Sequence, residues 1–313
     1  MLKEDPDRMP LLPAEIINLK RLTFQDTKEW SCFNPSIASS PKKGLAVAFR
    51  SSNYVILKPH GELHVTNGGK IRNKIFFSEI TKNFELKNFR EIRMPNDIDL
   101  TRGIEDPKLF WRNSSWYFTG VMMEKEVPVA RLCVCKLDPR AQEVVDISVY
   151  DGVSPERPEK SWLVPDIKPS EHFDFIYGPT AIVKSNKVIY SMSEDVKVAG
   201  LRGNSHLLEQ KDGSYLAVMH RLWTKKVRGY SPNVFGMIDG LDKNYSHYIV
   251  RFDRFGSIVA ITPGFQFIGP GVEFAGGMIE LNGNLVISFG KEDVSSHLAV
   301  ISKKLVESML KPL

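Results

Sequence analysis

Residues 101–120 read TRGIEDPKLFWRNSSWYFTG, and two adjacent acids, Glu105 and Asp106, stand directly before Pro107. Neighbouring carboxylates suit proton transfer and the holding of hydroxyl groups, and each raises the other's pKa by like-charge repulsion. Pro107 stiffens the chain and biases Asp106 towards an extended conformation. Leu109, Phe110 and Trp111, a polar turn at Asn113-Ser114-Ser115, and Trp116-Tyr117-Phe118 then read as two short strands joined by a tight turn. The acids are therefore expected at the start of a strand, held rigidly. An ordinary surface turn has the same composition, and Glu105 has a plain alternative as the salt-bridge partner of Arg102 or Lys108.

A second group of residues offers positive charge. Arg202, His220 and Arg221 form a candidate anion site, because the planar donor fork of arginine suits phosphate. Inorganic phosphate, a sugar 1-phosphate or the diphosphate of a nucleotide sugar fits such a site. For His220 the competing reading is a structural histidine. His247 and Tyr248 are further candidates. The stretch HRLWTKKVRGYSPN, residues 220–233, interleaves Lys225, Lys226 and Arg228 with Trp223 and Tyr230, and that mixture grips phosphate backbones and stacks bases or sugars. Its bland counterpart is a solvated loop with one packed tryptophan. Asp97-Ile98-Asp99 spells the Asp-x-Asp of metal- and nucleotide-binding transferases, but that motif works in a different, α/β fold and is set aside. Asn113-Ser114-Ser115 matches a glycosylation acceptor in what reads as a tight turn.

The elements that must position these residues read as strands. Short apolar runs such as GLAVAFR (44–50), KIFFSEI (74–80), SWYFTGVMM (115–123) and NLVISFG (284–290) alternate with Gly, Asn, Pro and Ser turns. The clear helix candidate is the C-terminal segment 302–313. Five segments share one plan of polar head, apolar strand, turn and second apolar strand. They begin at Asn34, Glu105, Glu159, Arg202 and Glu273, with gaps of about 71, 54, 43 and 71 residues, averaging roughly 60. Four strands per unit is the blade of a propeller. The expected fold is all-β: a single five-bladed β-propeller spanning 1–313, with an N-terminal extension over 1–30 and a short C-terminal helix. In that architecture the heads Asn34, Arg50, Glu105, Asp106, Glu159, Lys160, Arg202 and Glu273 converge on one funnel. An ion-pair network between blades is the alternative use of such residues, since buried charge is costly unless paired.

Composition narrows the class. The 313 residues are 42% hydrophobic and 25% charged, with a net charge of +5, which fits a folded, mildly basic protein and a phosphorylated or polyanionic partner. Three cysteines, an odd number without zinc spacing, point to reduced thiols and a cytoplasmic setting, with Cys133 and Cys135 facing the same side of a strand. No apolar run reaches membrane-spanning length, and the N-terminus has no signal-peptide core. There is no glycine-rich dinucleotide fingerprint, no phosphate loop and no Ser-His-Asp set, so no cofactor is expected.

The element Thr101-Arg102-Gly103-Ile104-Glu105-Asp106-Pro107-Lys108 resembles the Gly-x-Glu-Asp-Pro-Arg signature of glycoside hydrolase family 130, the β-mannoside phosphorylases, and of their relatives in family 108, with Lys108 in place of the usual arginine. LAVMHR at 216–221 is similar to the strand that ends in a phosphate-binding histidine in those enzymes. VEFAGGMIELNGNLVISFGKED at 272–293 resembles their last blade, which closes with an acidic residue, here Asp293. The segments EKSW, RGNS, LAVMH and SHYIVRFD also resemble a less characterised propeller group. The likeness covers about residues 30–300. It implies that Asp106 handles the proton at the bridging oxygen, as general acid in breakdown and general base in synthesis, with Glu105 beside it. It implies action through carboxylates, without a metal. Asn34, Arg50, Arg102, Lys108, Glu159, Lys160, Tyr177, Arg202, His220, Arg221, Tyr230, His247, Glu273 and Asp293 are the candidate substrate-binding residues. Only His220, with Arg221 and Arg202, maps onto the family's phosphate site. That gap and the extra basic stretch favour an inverting glycosyltransferase that takes a sugar from a nucleotide-sugar or sugar-phosphate donor to a carbohydrate or nucleic-acid acceptor. The alternatives are a β-mannoside-type phosphorylase or hydrolase, and a non-catalytic propeller that binds glycans or nucleic acid.

Overall fold

The computed structural model describes residues 9–19, 30–58, 60–66, 69–95, 102–123, 130–140, 142–150, 160–166, 170–177, 181–185, 187–191 and 198–313, and its strands form five antiparallel sheets of four or more strands and a separate two-stranded one. The first blade runs outward as Ser31–Ser40, Gly44–Ser52, Asn73–Ile80 and Leu86–Ile92. The second is Ile104–Arg112, Ser115–Met123, Ala130–Asp138 and Glu143–Val149. The third has the short strands Trp162–Leu163, Phe175–Tyr177, Ala181–Lys184 and Lys187–Ser191. In the fourth, Leu201–Gly203 and Leu208–Glu209 both pair with Tyr215–Ser231, followed by Gly236–Phe252, Ile258–Ile261 and Lys311–Pro312. The fifth is Glu273–Leu281, Asn284–Lys291 and Ser295–Ser302, completed on its outer edge by the N-terminal strand Glu15–Leu19. The protein is a five-bladed β-propeller whose last blade takes strands from both ends of the chain.

The apolar runs are nearly continuous because each sheet is covered on both faces. In Gly44–Ser52, Ala46 and Ala48 join one core with Phe77, Leu109, Phe118, Cys133 and Cys135 of the first and second blades. Val47 and Phe49 point the other way and pack with Ile279, Val286 and Leu298 of the fifth blade. Period-two alternation thus splits one strand between two inter-blade cores. Each fully buried Phe or Leu contributes about 1.5–3 kcal/mol, so these cores hold the ring of blades together. Cys133 and Cys135 face the same side, as their spacing predicts, and all three cysteines are free and buried.

The inner strands are also stitched across blades by hydroxyl groups. Ser36 Oγ donates to Gly276 O (2.9 Å) and accepts from the Leu109 amide (2.8 Å), joining the first, second and fifth blades. Ser288 Oγ donates to Pro35 O (2.8 Å) and accepts from the Ile37 amide (2.9 Å). Beside these stitches the strand register slips between Phe33 and Ser36, between Glu105 and Lys108, and between Ala275 and Gly277. Such bulges bend a strand and re-aim its side chains.

Two hairpins rise from this frame. Tyr54–Leu57 pairs with Glu62–Val65, and the paired strands Tyr215–Ser231 and Gly236–Phe252, 17 residues each, run on beyond their blade as an arm. They lean together: the Leu241 amide donates to His60 O (3.1 Å) and Asn233 Nδ2 donates to Glu62 Oε1 (2.9 Å). The stretch 220–233 is therefore mostly arm strand and not the loop its composition resembles. The C-terminal helix is shorter than expected, covering Lys303–Met309. Pro312 disfavours helical geometry in the residue before it, and Lys311–Pro312 instead pairs with Ala260 and Ile261. Among the described residues no helix is long and apolar enough to cross a membrane.

Candidate active site

Asn34 and Asp106 occupy equivalent points in adjacent blades. Each lies at a bulge on an innermost strand, each precedes a proline, and each has a left-handed backbone, with φ of 47° and 52°. The extended conformation expected for Asp106 is thus not the one adopted. Asn and Asp are the side-chain-bearing residues that best tolerate this region, and the surrounding packing must hold it at a cost of about 1–3 kcal/mol. The turn swings the two side chains together, so that Asn34 Nδ2 donates to Asp106 Oδ1 (3.0 Å).

Arg50 is the centre of the cluster. Its Nη1 lies 3.0 Å from Asp106 Oδ1, its Nη2 lies 3.2 Å from Glu105 Oε1, and its Nε donates to Asn73 Oδ1 (2.9 Å). The guanidinium is nearly buried and stands over the rings of Phe33 and Tyr54. Lys160 Nζ completes the set at 2.8 Å from Glu105 Oε2. Glu105 therefore pairs with Arg50 and Lys160, and not with Arg102 or Lys108. Burial alone would raise the Asp106 pKa, but the charges of Arg50 and Lys160 and the hydrogen bonds from Asn34 and Arg50 outweigh it and hold the group below the usual carboxylate range. Asp106 is a standing carboxylate.

A third acid lines the same cavity. Asp293 follows the fifth-blade strand Asn284–Lys291, has φ of 52°, and accepts from the Tyr54 hydroxyl through Oδ2 (2.8 Å). Burial pushes its pKa up, and repulsion by Asp106 and Glu105 adds to this against the pull of Arg50 and Tyr54. The two aspartates, on one cavity of about 390 Å³, are driven in opposite directions.

Positive charge surrounds these acids. Arg102, Lys160, Arg202 and Lys243 are exposed at the mouth of the cavity, and Lys108 lies at its floor. Arg102, Arg202 and Lys243 make no ion pair among the described residues. Lys108 Nζ donates to the Trp162 carbonyl, and burial depresses its pKa to about 8 against the pull of Asp106. His220 also lines the cavity, stacked on Tyr245 with ring centroids 4.6 Å apart. Burial, then His247, Arg202 and Lys108, keep its pKa well below the ordinary value, so the imidazole is neutral. No group of His, Cys, Asp and Glu with metal-binding geometry occurs among the described residues.

The structure brings Asn34, Arg50, Arg102, Glu105, Asp106, Lys108, Lys160, Arg202, His220 and Asp293 to this one cavity. Other expected residues do not reach it. Arg221 is one step along the strand from His220 and so points to the opposite face, where it lies over the rings of Trp223 and Tyr248. His247 is fully buried, bonded through Nε2 to Glu273 O and packed on Phe267. Glu273 is spent structurally: its carboxylate accepts from the amides of Phe267, Ile268 and Gly269 and lies 3.4 Å from Lys291 Nζ. Tyr177 packs on Trp162, and Tyr230 is 57% exposed near the tip of the arm. Glu159 and the Asp97–Asp99 motif lie outside the described residues. Sequence reasoning missed Tyr54, Asn73, Lys243 and Tyr245. Tyr245 had an available signal, since it is two residues from His247 on a strand that alternates towards the funnel.

Comparison with known proteins places the fold. No family model and no curated protein sequence matches the chain. Solved structures do. A β-1,2-mannobiose phosphorylase from Listeria innocua, in complex with β-1,2-mannobiose, superposes with a TM-score of 0.58 at 12% identity, covering 98% of this chain and 97% of its own. A mannose phosphorylase from Leishmania mexicana, in complex with phosphate ion, gives 0.56 at 11% identity, covering 96% and 92%. A structure from work on the family 130 mannoside phosphorylases, describing hydrolases that target β-1,2-mannosidic linkages in Candida mannan, gives 0.55 at 11% identity, covering 97% and 93%. At these identities the likeness is one of fold. Two of these neighbours are phosphorylases, and the third comes from work on phosphorylases and hydrolases.

Proposed function

We propose that this protein is a glycoside phosphorylase: it breaks a mannoside-type glycosidic bond with inorganic phosphate and releases a sugar 1-phosphate. The observation that carries this reading is the shared cavity, in which the Arg50-held carboxylate Asp106 lies with Arg102, Arg202 and Lys243, cations that make no ion pair among the described residues. Phosphorolysis needs two things there. A phosphate oxygen attacks the anomeric carbon, and an anion binds best where donors and positive charge are already in place. Arg102, Arg202 and Lys243 supply charge, and neutral His220 and Tyr245 supply polar edges. The transition state resembles an oxocarbenium ion, and a standing carboxylate at Asp106 stabilises the positive charge that develops on the sugar. The neighbouring enzymes of the same fold that bind phosphate or mannobiose support this reading over the glycosyltransferase expectation. Run backwards, the same reaction transfers a sugar from a phosphate-activated donor, so part of that expectation survives inside this one.

The test is turnover. Purified protein is incubated with a β-linked mannobiose and inorganic phosphate, and mannose 1-phosphate is measured. Production that needs phosphate and is lost in Asp106→Asn supports the assignment. Release of free mannose independent of phosphate makes the protein a hydrolase. Binding of saccharide without either product makes it a carbohydrate-binding propeller.

A further inference from the structure

The funnel occupies one end of the blades. At the other end, between the first and second blades, lies a separate cavity of about 440 Å³. The strand Ile104–Arg112 runs from one to the other, with Glu105 on the funnel and Trp111 on the second cavity. At the rise of an extended strand the two are roughly 20 Å apart.

The back wall of this cavity is aromatic. Trp111 and Trp116 are partners in the strand pair, with rings edge to face and centroids 5.0 Å apart, and Phe77 packs on Trp116 from the first blade. The two tryptophans are only 8% and 5% exposed, yet neither indole N–H has an acceptor among the described residues. A buried tryptophan N–H usually finds a partner. Arg90 repeats the pattern. Its guanidinium lies over the Phe77 ring at 5.4 Å, its side chain is 17% exposed, and its buried Nε has no hydrogen-bond partner. Its ion-pair partner Glu79 holds Oε1 3.7 Å from Nη2, beyond hydrogen-bonding distance, and the other Glu79 oxygen accepts from Asn88 Nδ2 (3.1 Å).

The charged lining as a whole is Lys43, Arg90, Lys136 and Arg140 against Glu79 and Asp138. Asp138 Oδ1 is engaged by the Arg140 amide (2.9 Å). Lys43 and Arg140 stand exposed in turns at the rim, and Ser114 and Ser115 add hydroxyl groups from the turn between the tryptophans. Donors and positive charge are in surplus, with the positive edges of two indoles behind them. The missing complement is an anion rich in acceptors.

We propose that this cavity is a second binding site, separate from the funnel, for a phosphate group: free phosphate or the phosphate of a small monoester. The Arg90 fork and the indole N–H groups of Trp111 and Trp116 hold its oxygens, and Lys43 and Arg140 add charge at the rim. The planar guanidinium suits phosphate oxygens. A volume of about 440 Å³ leaves room for a sugar-sized organic part beside the phosphate. The site does not depend on phosphorolysis in the funnel.

Titration of the full chain at constant ionic strength tests this, with inorganic phosphate and glucose 6-phosphate as probes, potassium chloride as the control and tryptophan fluorescence as the readout. Trp111 and Trp116 report this cavity, and Trp162 reports the funnel. The response of this cavity is the part that survives Arg202→Met, which removes a funnel cation, and that weakens about 10–100-fold in Arg90→Met, which keeps an apolar side chain over Phe77. Lys43→Met combined with Arg140→Met is expected to weaken it about two- to tenfold. Both rim positions are exposed, so this pair decides the matter if Arg90→Met does not fold. Tighter binding of glucose 6-phosphate than of phosphate identifies a monoester as the ligand, and the reverse order identifies the free ion. No response beyond that to chloride overturns the proposal, as does a response lost in Arg202→Met and kept in the Arg90 and rim variants.

Discussion

Removing the Arg50 guanidinium isolates what holds the site. Arg50 is 7% exposed at its side chain, and its partners Glu105 and Asp106 are 12% and 15% exposed, so Arg50→Met leaves two largely buried carboxylates facing each other. Breaking a buried pair by deleting one partner costs about 3–5 kcal/mol. At about 2 °C per kcal/mol, the low end for larger domains, the melting temperature falls by roughly 6–10 °C. The loss also has a pH signature. In the native protein the Asp106 pKa is depressed, so its stabilisation is present above the unfolded value, near 3.9, and fades as pH falls through the folded value. Without Arg50, burial dominates and raises the Asp106 pKa, so stability is lost as pH rises through the raised value. The stability difference between native protein and variant is therefore full near pH 7.5 and shrinks towards pH 4.5. Urea denaturation followed by the fluorescence of the five tryptophans at both pH values measures it. A difference that stays constant between them within about 0.5 kcal/mol refutes the view that Arg50 works by neutralising buried carboxylates. Arg50→Lys keeps the charge but loses the planar fork, and is expected to fall between the two with the same sign.

Two further predictions concern the floor of the funnel and the wall behind Asn34. Lys108 is buried with its pKa lowered from 10.5 to about 8, so the protein carries a desolvation penalty that is full below pH 8 and relieved as pH rises towards 10.5. At 1.36 kcal/mol per unit this is about 3 kcal/mol. Lys108→Met is expected to remove that rise, so that chemical denaturation at pH 7 and at pH 10 shows the variant losing ground to the native protein as pH increases. Parallel curves mean that the ammonium is solvated. Gly290 lies where a Cβ comes within 2.4 Å of Asn34 Oδ1 and 2.6 Å of the Asn34 amide nitrogen. Gly290→Ala is expected to cost about 1–3 kcal/mol and to displace the Asn34 bond to Asp106, lowering kcat more than it raises KM. Gly69→Ala, at a position with nothing within 4 Å, serves as the neutral comparison.

The propeller was legible because its signal is repeated and local. Four of the five polar heads, Asn34, Glu105, Arg202 and Glu273, fall on the inner strands of the first, second, fourth and fifth blades, and strands apolar on both faces need a neighbouring sheet on each side. The convergence of Asn34, Arg50, Glu105, Asp106, Lys160 and Arg202 follows from that architecture alone. The errors lie where long-range contact decides. The fate of Glu273 depends on three backbone amides of the loop 267–269, which no side-chain pattern announces. Arg221 stands beside His220 at the end of the strand LAVMHR, and period two along that strand turns the two side chains to opposite faces. Tyr54 and Lys243 reach the funnel on hairpins that lean over it, and hairpin orientation is set by tertiary packing.

The conformation of Asp106 is the most instructive miss. A residue before proline is biased to extended geometry, yet Asn34-Pro35 and Asp106-Pro107 both break this rule at equivalent bulges and with residue types that tolerate the left-handed region. One strained turn of this kind has the look of a local accident. Two, in neighbouring blades, with their side chains hydrogen-bonded to each other and Asp106 bonded to Arg50, form a device that turns polar groups off the strand and into the axis. Strain maintained by the surrounding packing is the expected mark of a working site. The same device explains why the two aspartates of the site differ. Asp106 is turned onto Arg50, Glu105 follows it onto Arg50 and Lys160, and Asp293, arriving from the fifth blade, finds a phenol in place of a cation. The two aspartates are chemically alike in sequence and are made unlike by which blade delivers them.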